Sequence, residues 1–284
     1  MDQQPYRSAL YIPGSKERAL EKARGLACDA ILFDLEDAVT PEEKPAARET
    51  LASALAQGGY GARARIVRVN GLDSQWGADD LAAVAKMRPD RILVPKVEGP
   101  QSIDAVVAQV PGVPVWAMME TPQAILNAAA IAAHESVVGF VMGTNDLAKD
   151  LGTRAGTDRA AMMYALGACV LAARAHGIVA LDGVYNAFKD DDGLRAECVQ
   201  GRDFGFDGKT LIHPAQLAIA NVAFGPSEDE VALAERQIAA FADAEAKGSG
   251  VAVVDGRIVE NLHIVTARAT LAKMQAIAAM EATL

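Results

Sequence analysis

The chain has 284 residues, of which 51% are hydrophobic and 23% charged, and its formal net charge is −10. Such a chain is long enough for one large barrel or two small domains with a complete core. The negative charge argues against a nucleic-acid-binding protein, which needs a basic surface to neutralise phosphates. An anionic ligand must therefore be held by a local cluster of arginine and lysine.

The cysteines and the apolar segments indicate a cellular location. Cys28, Cys169 and Cys198 are far apart in the sequence and show no CxxC or Cys/His spacing, a pattern typical of reduced thiols in a cytoplasmic protein. The first residues are polar, without the apolar segment of a signal peptide. No apolar stretch approaches the ~20 residues of a membrane helix. We therefore expect a cytoplasmic protein that binds neither membranes nor nucleic acid.

Short apolar runs alternate with longer helical patterns over residues 1–224. The runs are continuous, as expected for parallel strands covered on both faces. They lie at 9–13, 30–35, 65–70, 91–96, 115–120, 137–143, 178–183 and 209–214. The helical segments lie at 15–26, 41–56, 78–87, 100–109, 122–133, 157–176, 190–204 and 214–222. This repeated βα pattern predicts an α/β TIM barrel. The main alternative is a doubly wound open sheet, but no GxGxxG motif follows the first strand.

Two sequence signals mark the predicted helix starts. Ser15 is expected to cap the first helix, and Pro41 stands at a first-turn position of the second. Residues 225–284 depart from the repeat. They predict a helix over 225–248, a hairpin that turns at Asp255-Gly256 and a final helix. We interpret 225–284 as a C-terminal lid extension, because it has little core of its own.

Polar residues end most of the predicted strands. Active sites of TIM barrels lie at the C-terminal ends of the strands, so these side chains are expected to converge. They are Ser15, Asp34, Glu36, Asp37, Arg68, Asn70, Lys96, Glu98, Glu120, Asn145, Asp146, Asp182 and His213. The pattern predicts an active site at this face of the barrel.

Glu120 and Asp146 end the neighbouring fifth and sixth strands. Two carboxylates without a nearby histidine or cysteine are typical of a site for Mg²⁺, whose remaining positions hold water or substrate oxygens. The alternative is that each acid caps the helix that follows it.

Arg68 is the candidate substrate-binding cation. It could bind a carboxylate through two hydrogen bonds or stabilise a developing oxyanion. The alternative is a structural ion pair with the acidic cluster Asp34–Asp37, and both roles can hold at once. Glu36 and Asp37 are expected to contact Arg68 or metal-bound water rather than the metal itself.

Lys96 has two interpretations. It could form a Schiff base with a carbonyl substrate, or it could pair with Glu120 or Asp37. We favour the ion pair. His213 is expected to be a hydrogen-bonded structural residue.

Seven motifs together resemble the citrate lyase β-subunit-like branch of the HpcH/HpaI aldolase superfamily. In chain order they are RSALYIPGSKERALEKA, LFDLEDAVTPEEK, VRVNG, VPKVE, METP, GTNDLAKDLG and KTLIHPAQ. The branch includes malyl-CoA and citramalyl-CoA lyases and malyl-CoA thioesterases. The resemblance covers essentially the whole chain.

The resemblance implies a TIM barrel that assembles as a homotrimer or homohexamer, with Mg²⁺ on Glu120 and Asp146. It also implies that Arg68 and backbone amides near Gly143 and Thr144 bind a keto acid or hydroxy acid. We expect Glu36 to be a further substrate-binding residue. CoA contacts are expected from basic residues of the first βα segment, whose alternative role is a solvated helix face. These residues are Lys16, Arg18 and Lys22.

The sequence differs from the family pattern in the C-terminal extension. Relatives carry an aspartate there that reaches a neighbouring subunit's site, and this chain aligns Glu260 with it. Glu260 could serve as the same acid or base, and Asp255 is a less favoured substitute.

We expect a Mg²⁺-dependent lyase that cleaves a 3-hydroxyacyl-CoA, such as malyl-CoA or citramalyl-CoA, into acetyl-CoA and a 2-keto acid. Arg68, Asp37 and Glu260 are its catalytic candidates. The alternatives are a (3S)-malyl-CoA thioesterase, a citrate lyase β subunit and a CoA-binding module without activity.

Overall fold

The computed structural model describes residues 4–154, 156 and 158–283. Within them, eight strands run parallel: β1 Ser8–Pro13, β2 Ala30–Asp34, β3 Ala64–Arg68, β4 Arg91–Val94, β5 Val115–Met119, β6 Val137–Met142, β7 Val179–Asp182 and β8 Gly208–Leu211. They follow chain order around a closed barrel, and β1 pairs with β8 to complete it. The prediction of a TIM barrel is confirmed.

Helices connect the barrel strands and follow the last one. Their bounds are α1 Glu17–Ala23, α2 Lys44–Gln57, α3 Gly77–Met87, α4 Pro100–Gln109, α5 Pro122–Leu126, α6 Ala128–Ala132, α7 Thr144–Asp150, α8 Met163–His176, α9 Asp191–Phe204 and α10 Leu217–Phe224. Short 3-10 turns at Ala160–Met162 and Pro214–Gln216 precede α8 and α10. Among the described residues, no helix is long and apolar enough to cross a membrane.

Two predicted helices have different bounds in the structure. The segment 122–133 is divided into α5 and α6, because the backbone of Asn127 leaves the helical region with φ −99° and ψ 7°. The helix predicted to begin at residue 157 begins at Met163 instead. Thr157 lies outside the described residues.

Both expected helix-start signals are wrong. Lys16, not Ser15, occupies the N-cap of α1, and the Ser15 hydroxyl donates instead to Glu43 Oε2 over 3.4 Å. Pro41 lies in a turn over residues 41–43, and α2 begins after it at Lys44.

The barrel interior is filled by small and large apolar side chains. Trp116 is fully buried there, and its ring meets Tyr6 edge-on with centroids 5.2 Å apart. Gly139 makes room for the indole, because a Cβ at that position would lie 2.6 Å from Trp116 atoms. Ala9, Ala30 and Ala64 leave similar space on the other strands. Bulk on one side is thus balanced by small residues on the other.

Phe224–Thr283 belong to a second compact unit. It contains α11 Glu228–Ala246, a hairpin of β9 Ala252–Val254 and β10 Arg257–Val259, and α12 Asn261–Glu281. The hairpin turns at Asp255-Gly256, as predicted, with φ of 50° and 74° at the two residues. Its inner face packs with Phe241 and Ile264 into a small core. The interpretation of residues 225–284 as a lid that contacts a neighbouring subunit stays a prediction.

Candidate active site

A pocket with a cavity volume of about 310 Å³ lies at the C-terminal ends of the barrel strands. Residues at the ends of β1, β2, β3, β5 and β6 line it, together with the segments that follow β7 and β8. Eight residues that the sequence analysis expected at the site are among the lining residues: Asp34, Asp37, Arg68, Glu120, Gly143, Thr144, Asn145 and Asp146. Residues that are far apart in the sequence are therefore gathered in one place.

Arg68 is held by the acidic segment that follows β2. Its Nε and Nη2 donate to the two carboxylate oxygens of Asp34 over 2.7 and 2.6 Å. Its Nη1 lies 2.8 Å from Glu36 Oε2 and 3.3 Å from Asp37 Oδ2. The structural ion pair that the sequence offered as an alternative is therefore formed. Its weakest link is Asp37, whose side chain is 71% exposed.

The acidic segment is itself folded around Asp34. That carboxylate also accepts the backbone N–H groups of Glu36 and Ala38, each over 2.9 Å. Burial raises the pKa of the Glu36 carboxyl to about 8, against the attraction of Arg68. Glu36 therefore takes up a proton more readily than an exposed glutamate does.

Lys44 and Asn70 anchor the same segment; the sequence analysis expected Asn70 at the active-site face and did not consider Lys44. Lys44 Nζ donates to the carbonyls of Leu35 and Glu36 over 3.0 and 2.9 Å and to Asn70 Oδ1 over 2.7 Å. Asn70 Nδ2 in turn donates to Asp80 Oδ2 over 2.6 Å. Lys44 could have been singled out as the last residue of the motif LFDLEDAVTPEEK. Asp80 carries no such sequence signal, because it lies on the outer helix α3.

Glu120 follows β5 and is buried, with its Oε1 accepting the backbone N–H of Lys96 over 2.7 Å. Burial raises the pKa of its carboxyl to about 7, the Lys96 N–H opposes this, and the charge of Asp146 adds to it. Thr121, not Glu120, caps α5, since its side chain accepts from Ala124 N over 3.1 Å. The capping alternative is wrong for Glu120.

Asp146 lies in the first turn of α7, whose N-cap position is Gly143. Its carboxylate makes no hydrogen bond or ion pair among the described residues, so the capping alternative is wrong here also. The acid nevertheless stands at a favourable helix end. It is therefore available to a cation in the pocket.

The pair Glu120 and Asp146 fits Mg²⁺. Both acids line the same pocket, and only one of their four carboxylate oxygens accepts a hydrogen bond from the described residues. No cluster of three or more metal-binding side chains occurs in the described part of the chain. Mg²⁺ is commonly bound by one or two carboxylates, with water or substrate oxygens as its other ligands.

Gly143 contributes space to the site. A Cβ there would lie 2.4 Å from Glu120 Cβ and 2.7 Å from Glu120 Oε2. Its N–H donates to the Met119 carbonyl over 3.1 Å, and a substrate contact through the backbone amides near Gly143 and Thr144 stays a prediction. Thr144 lines the pocket in the first turn of α7.

Lys96 does not form the ion pair favoured by the sequence analysis. Its side chain is exposed and makes no hydrogen bond or ion pair within the described residues. It is absent from the pocket lining, which also removes support for a Schiff base. His213 has the expected structural role, since its Nδ1 accepts from Ala215 N over 3.2 Å.

Asp182 ends β7 but belongs to a buried ion network instead of the pocket. Arg159 Nη1 donates to both of its carboxylate oxygens over 2.8 and 2.9 Å. Lys209 lies 3.3 Å from Asp182 and 2.6 Å from Glu197, and it donates to the Gly183 carbonyl over 2.5 Å. The expectation that Asp182 would face the active site is wrong, because these cations hold it inside the barrel wall.

The residues predicted to contact CoA are not gathered at the pocket. Lys16 pairs with Glu43 over 2.6 Å on the surface. Arg18 lines a separate groove between α1 and α2, and Lys22 is exposed in the last turn of α1.

Glu260 is exposed at the start of α12 in the second unit, where its N–H donates to His263 Nδ1 over 3.0 Å. The role of Glu260 and the three CoA contacts stay predictions.

Residues 7–214 match the family model described as HpcH/HpaI aldolase/citrate lyase. The chain belongs to the HpcH/HpaI aldolase/citrate lyase family. The predicted family and the prediction of an enzyme are confirmed.

Members of the HpcH/HpaI family with assigned activities are similar over nearly the whole chain. A (3S)-malyl-CoA thioesterase of Cereibacter sphaeroides is 66% identical over 279 residues, which cover 98% of each chain. The citrate lyase subunit beta of Leuconostoc mesenteroides subsp. cremoris is 33% identical over 274 residues, covering 92% of this chain and 91% of the relative.

A solved structure supports the fold. CitE of Mycobacterium tuberculosis, in complex with magnesium, acetoacetate and coenzyme A, matches with a TM-score of 0.80 and 29% identity. The match covers 96% of this chain and 99% of that one.

Proposed function

We propose that this protein is a Mg²⁺-dependent thioesterase that hydrolyses (3S)-malyl-CoA to malate and CoA. The observation that carries the proposal is the 66% identity to the Cereibacter sphaeroides thioesterase across 98% of both chains. The citrate lyase β subunits are half as similar. The second candidate is cleavage of the same substrate to acetyl-CoA and a 2-keto acid, which the aldolase/citrate lyase family favours.

Glu120 and Asp146 would hold the ion that the Mycobacterium tuberculosis complex contains. Bound Mg²⁺ supplies Lewis-acid polarisation of a substrate oxygen. The pocket residues orient the substrate around that position. Asn145 and Asn186, which hydrogen-bond each other across the pocket lining, stabilise the loops that follow β6 and β7.

Arg68 stabilises negative charge that develops on the thioester carbonyl oxygen as water adds. Asp34 fixes the guanidinium of Arg68 through two hydrogen bonds. Arg68 is therefore already oriented before the reaction, and little free energy is needed to reorient it. The long contact with the exposed Asp37 is the one that a substrate oxygen can replace at Nη1. Asp37 would then give up its contact with Arg68 Nη1 when the substrate binds. Glu36 contacts the same Nη1 atom.

Glu260 from a neighbouring copy is the proposed base that takes a proton from the attacking water. The proposal includes a homotrimer or homohexamer, since this exposed acid needs a partner's pocket to act on. Lys16, Arg18 and Lys22 are proposed to contact CoA phosphates. A cytoplasmic location is supported by the buried, free thiols of Cys28, Cys169 and Cys198.

The test supplies purified protein with (3S)-malyl-CoA and Mg²⁺, with an EDTA control, and follows free thiol and 2-keto acid in the same tube. Free thiol without keto acid, lost in EDTA, is the expected result. Keto acid without free thiol would establish the lyase instead. No turnover of either kind would refute the proposed substrate.

A further inference from the structure

The pocket contains one buried hydroxyl group without a hydrogen-bond partner. Among the described residues, five buried side-chain nitrogen or oxygen atoms lack a partner. Of the residues that carry them, only Tyr11 lines the pocket, and the atom is its Oη. A buried polar atom without a partner is costly, so one in a pocket indicates a ligand atom that pairs with it.

Tyr11 is placed firmly at this position. It lies in β1, and its ring stacks on the guanidinium of Arg68, with Cζ 4.8 Å from the ring centroid. Arg68 is in turn bound to Asp34 and Glu36. The phenol therefore has little freedom to turn towards another protein acceptor.

The guanidinium and side-chain amide donors of the lining already have protein partners. All three guanidinium nitrogens of Arg68 donate to carboxylates, and the amides of Asn145 and Asn186 bond each other. The Tyr11 hydroxyl is thus a neutral hydrogen-bond donor without a protein acceptor, and charged side chains surround it in the pocket lining.

We propose that the Tyr11 hydroxyl donates a hydrogen bond to an oxygen of the hydroxy-acid portion of the substrate. This assignment rests on the proposed function, a malyl thioester of CoA. CoA is too large for a cavity of about 310 Å³, so its arm must lead out to solvent. The four-carbon acid then occupies the cavity, which Tyr11 lines and in which its hydroxyl has no protein partner.

The phenol acts as a donor and not as a base. Burial raises the pKa of Tyr11 above its ordinary value, and the positive charge of Arg68 does not cancel this. The hydroxyl stays protonated at any pH at which the enzyme works. Tyr11 therefore selects substrates that carry an acceptor oxygen on the acid, and it disfavours simple acyl thioesters such as acetyl-CoA.

The variant Tyr11→Phe tests this assignment, because it keeps the ring on Arg68 and removes only the hydroxyl. Tyr164→Phe is the matched control, since Tyr164 is 74% exposed on the outer helix α8. For each protein we would measure kcat/KM for (3S)-malyl-CoA, calorimetric affinity for (S)-malate in Mg²⁺, and Tm.

The expected result for Tyr11→Phe is a loss of about 10- to 100-fold in kcat/KM and of about tenfold or more in malate affinity. Its Tm should equal or exceed that of the wild type, because an unpaired buried hydroxyl is removed. Tyr164→Phe should match the wild type in all three measurements.

Three outcomes would overturn the proposal. Activity and malate affinity within threefold of the wild type would mean that the hydroxyl contacts no substrate. A fall in Tm would mean that it has a structural partner, and unchanged malate affinity with lost activity would place it at the thioester. If the wild type does not hydrolyse malyl-CoA but Tyr11→Phe still weakens malate binding, the proposed function fails and the Tyr11 assignment stands.

Discussion

At the scale of single residues, the candidate metal site depends on the fit between Glu120 and Gly143. The acid ends β5 and the glycine follows β6, and the two strands pair so that their ends meet. The space for the carboxylate exists only because position 143 has no side chain. Glu120 and Gly143 therefore depend on each other in the candidate metal site, although 23 positions separate them in the sequence.

The variant Gly143→Ala is expected to lose at least about tenfold in Mg²⁺ affinity. Its Cβ would force Glu120 to move, and a displacement of about 1 Å takes a side chain out of its working geometry. Calorimetric titration with Mg²⁺ measures the effect. Gly25→Ala is the control, because a Cβ at Gly25 meets no atom within 4 Å. Wild-type affinity in Gly143→Ala would contradict the assigned metal site.

Mg²⁺ affinity is expected to rise with pH between about 6 and 8 and then to level off. The Glu120 carboxyl has a pKa raised to about 7, so its protonated form predominates below that pH, and a proton must leave before the metal binds. Below pH 7 the affinity should fall by up to about tenfold per pH unit. Titrations at pH 6, 7 and 8 check this. An affinity that is flat over the range would show that Glu120 is ionised throughout or is not a ligand.

At the scale of elements, a buried ion network joins the end of β7 and the start of β8 to α9. Its members are Asp182, Lys209, Glu197 and Arg159. Lys209 is fully buried and binds the Gly183 carbonyl, which fixes the loop after β7. Gly183 packs directly on Thr144, since a Cβ there would lie 2.5 Å from Thr144 Oγ1. The network thus supports one wall of the pocket without reaching it.

Replacing Lys209 by methionine is expected to destabilise the protein by about 3–5 kcal/mol, because Asp182 and Glu197 lose a buried counter-charge. Guanidinium denaturation gives the free energy of unfolding. Lys86→Met serves as the comparison, since Lys86 is exposed on α3 and should change stability by less than about 0.5 kcal/mol. Equal stability of the two variants would mean that Arg159 alone neutralises the two acids.

At the scale of the whole molecule, the proposed activity requires more than one copy of the chain. Glu260 is exposed in the second compact unit, and its proposed substrate lies in the barrel of another copy. The inactive variants Glu120→Gln and Glu260→Gln should therefore restore each other's activity when they are dissociated and assembled together.

With random assembly, about a quarter of the sites would combine an intact Glu120 with an intact Glu260 from a neighbour. Thiol release by the mixture, compared with each variant alone, measures this. No recovery in a mixture shown to be co-assembled would place Glu260 in its own chain's site or outside catalysis. Activity retained by Glu260→Gln alone would exclude it as the base.

Much of this protein could be predicted from residue order alone. Continuous apolar runs at regular intervals specify a parallel barrel, because strands covered on both faces need no polar face. In such a barrel the strand ends meet, so Arg68, Glu120 and Asp146 could be placed together before any coordinates existed. The family motifs added the chemistry that these residues support.

Only the tertiary structure decided how each polar residue is used. Asp182 and Glu120 both end apolar strands, yet one is paired with Arg159 and Lys209 and the other faces the pocket. Ser15 and Lys96 also have different contacts from those expected. The unpaired hydroxyl of Tyr11 has no sequence signature at all. The physical reason is that ion pairs and hydrogen bonds depend on distances of a few tenths of an ångström between residues remote in the chain, whereas hydrophobic periodicity is local.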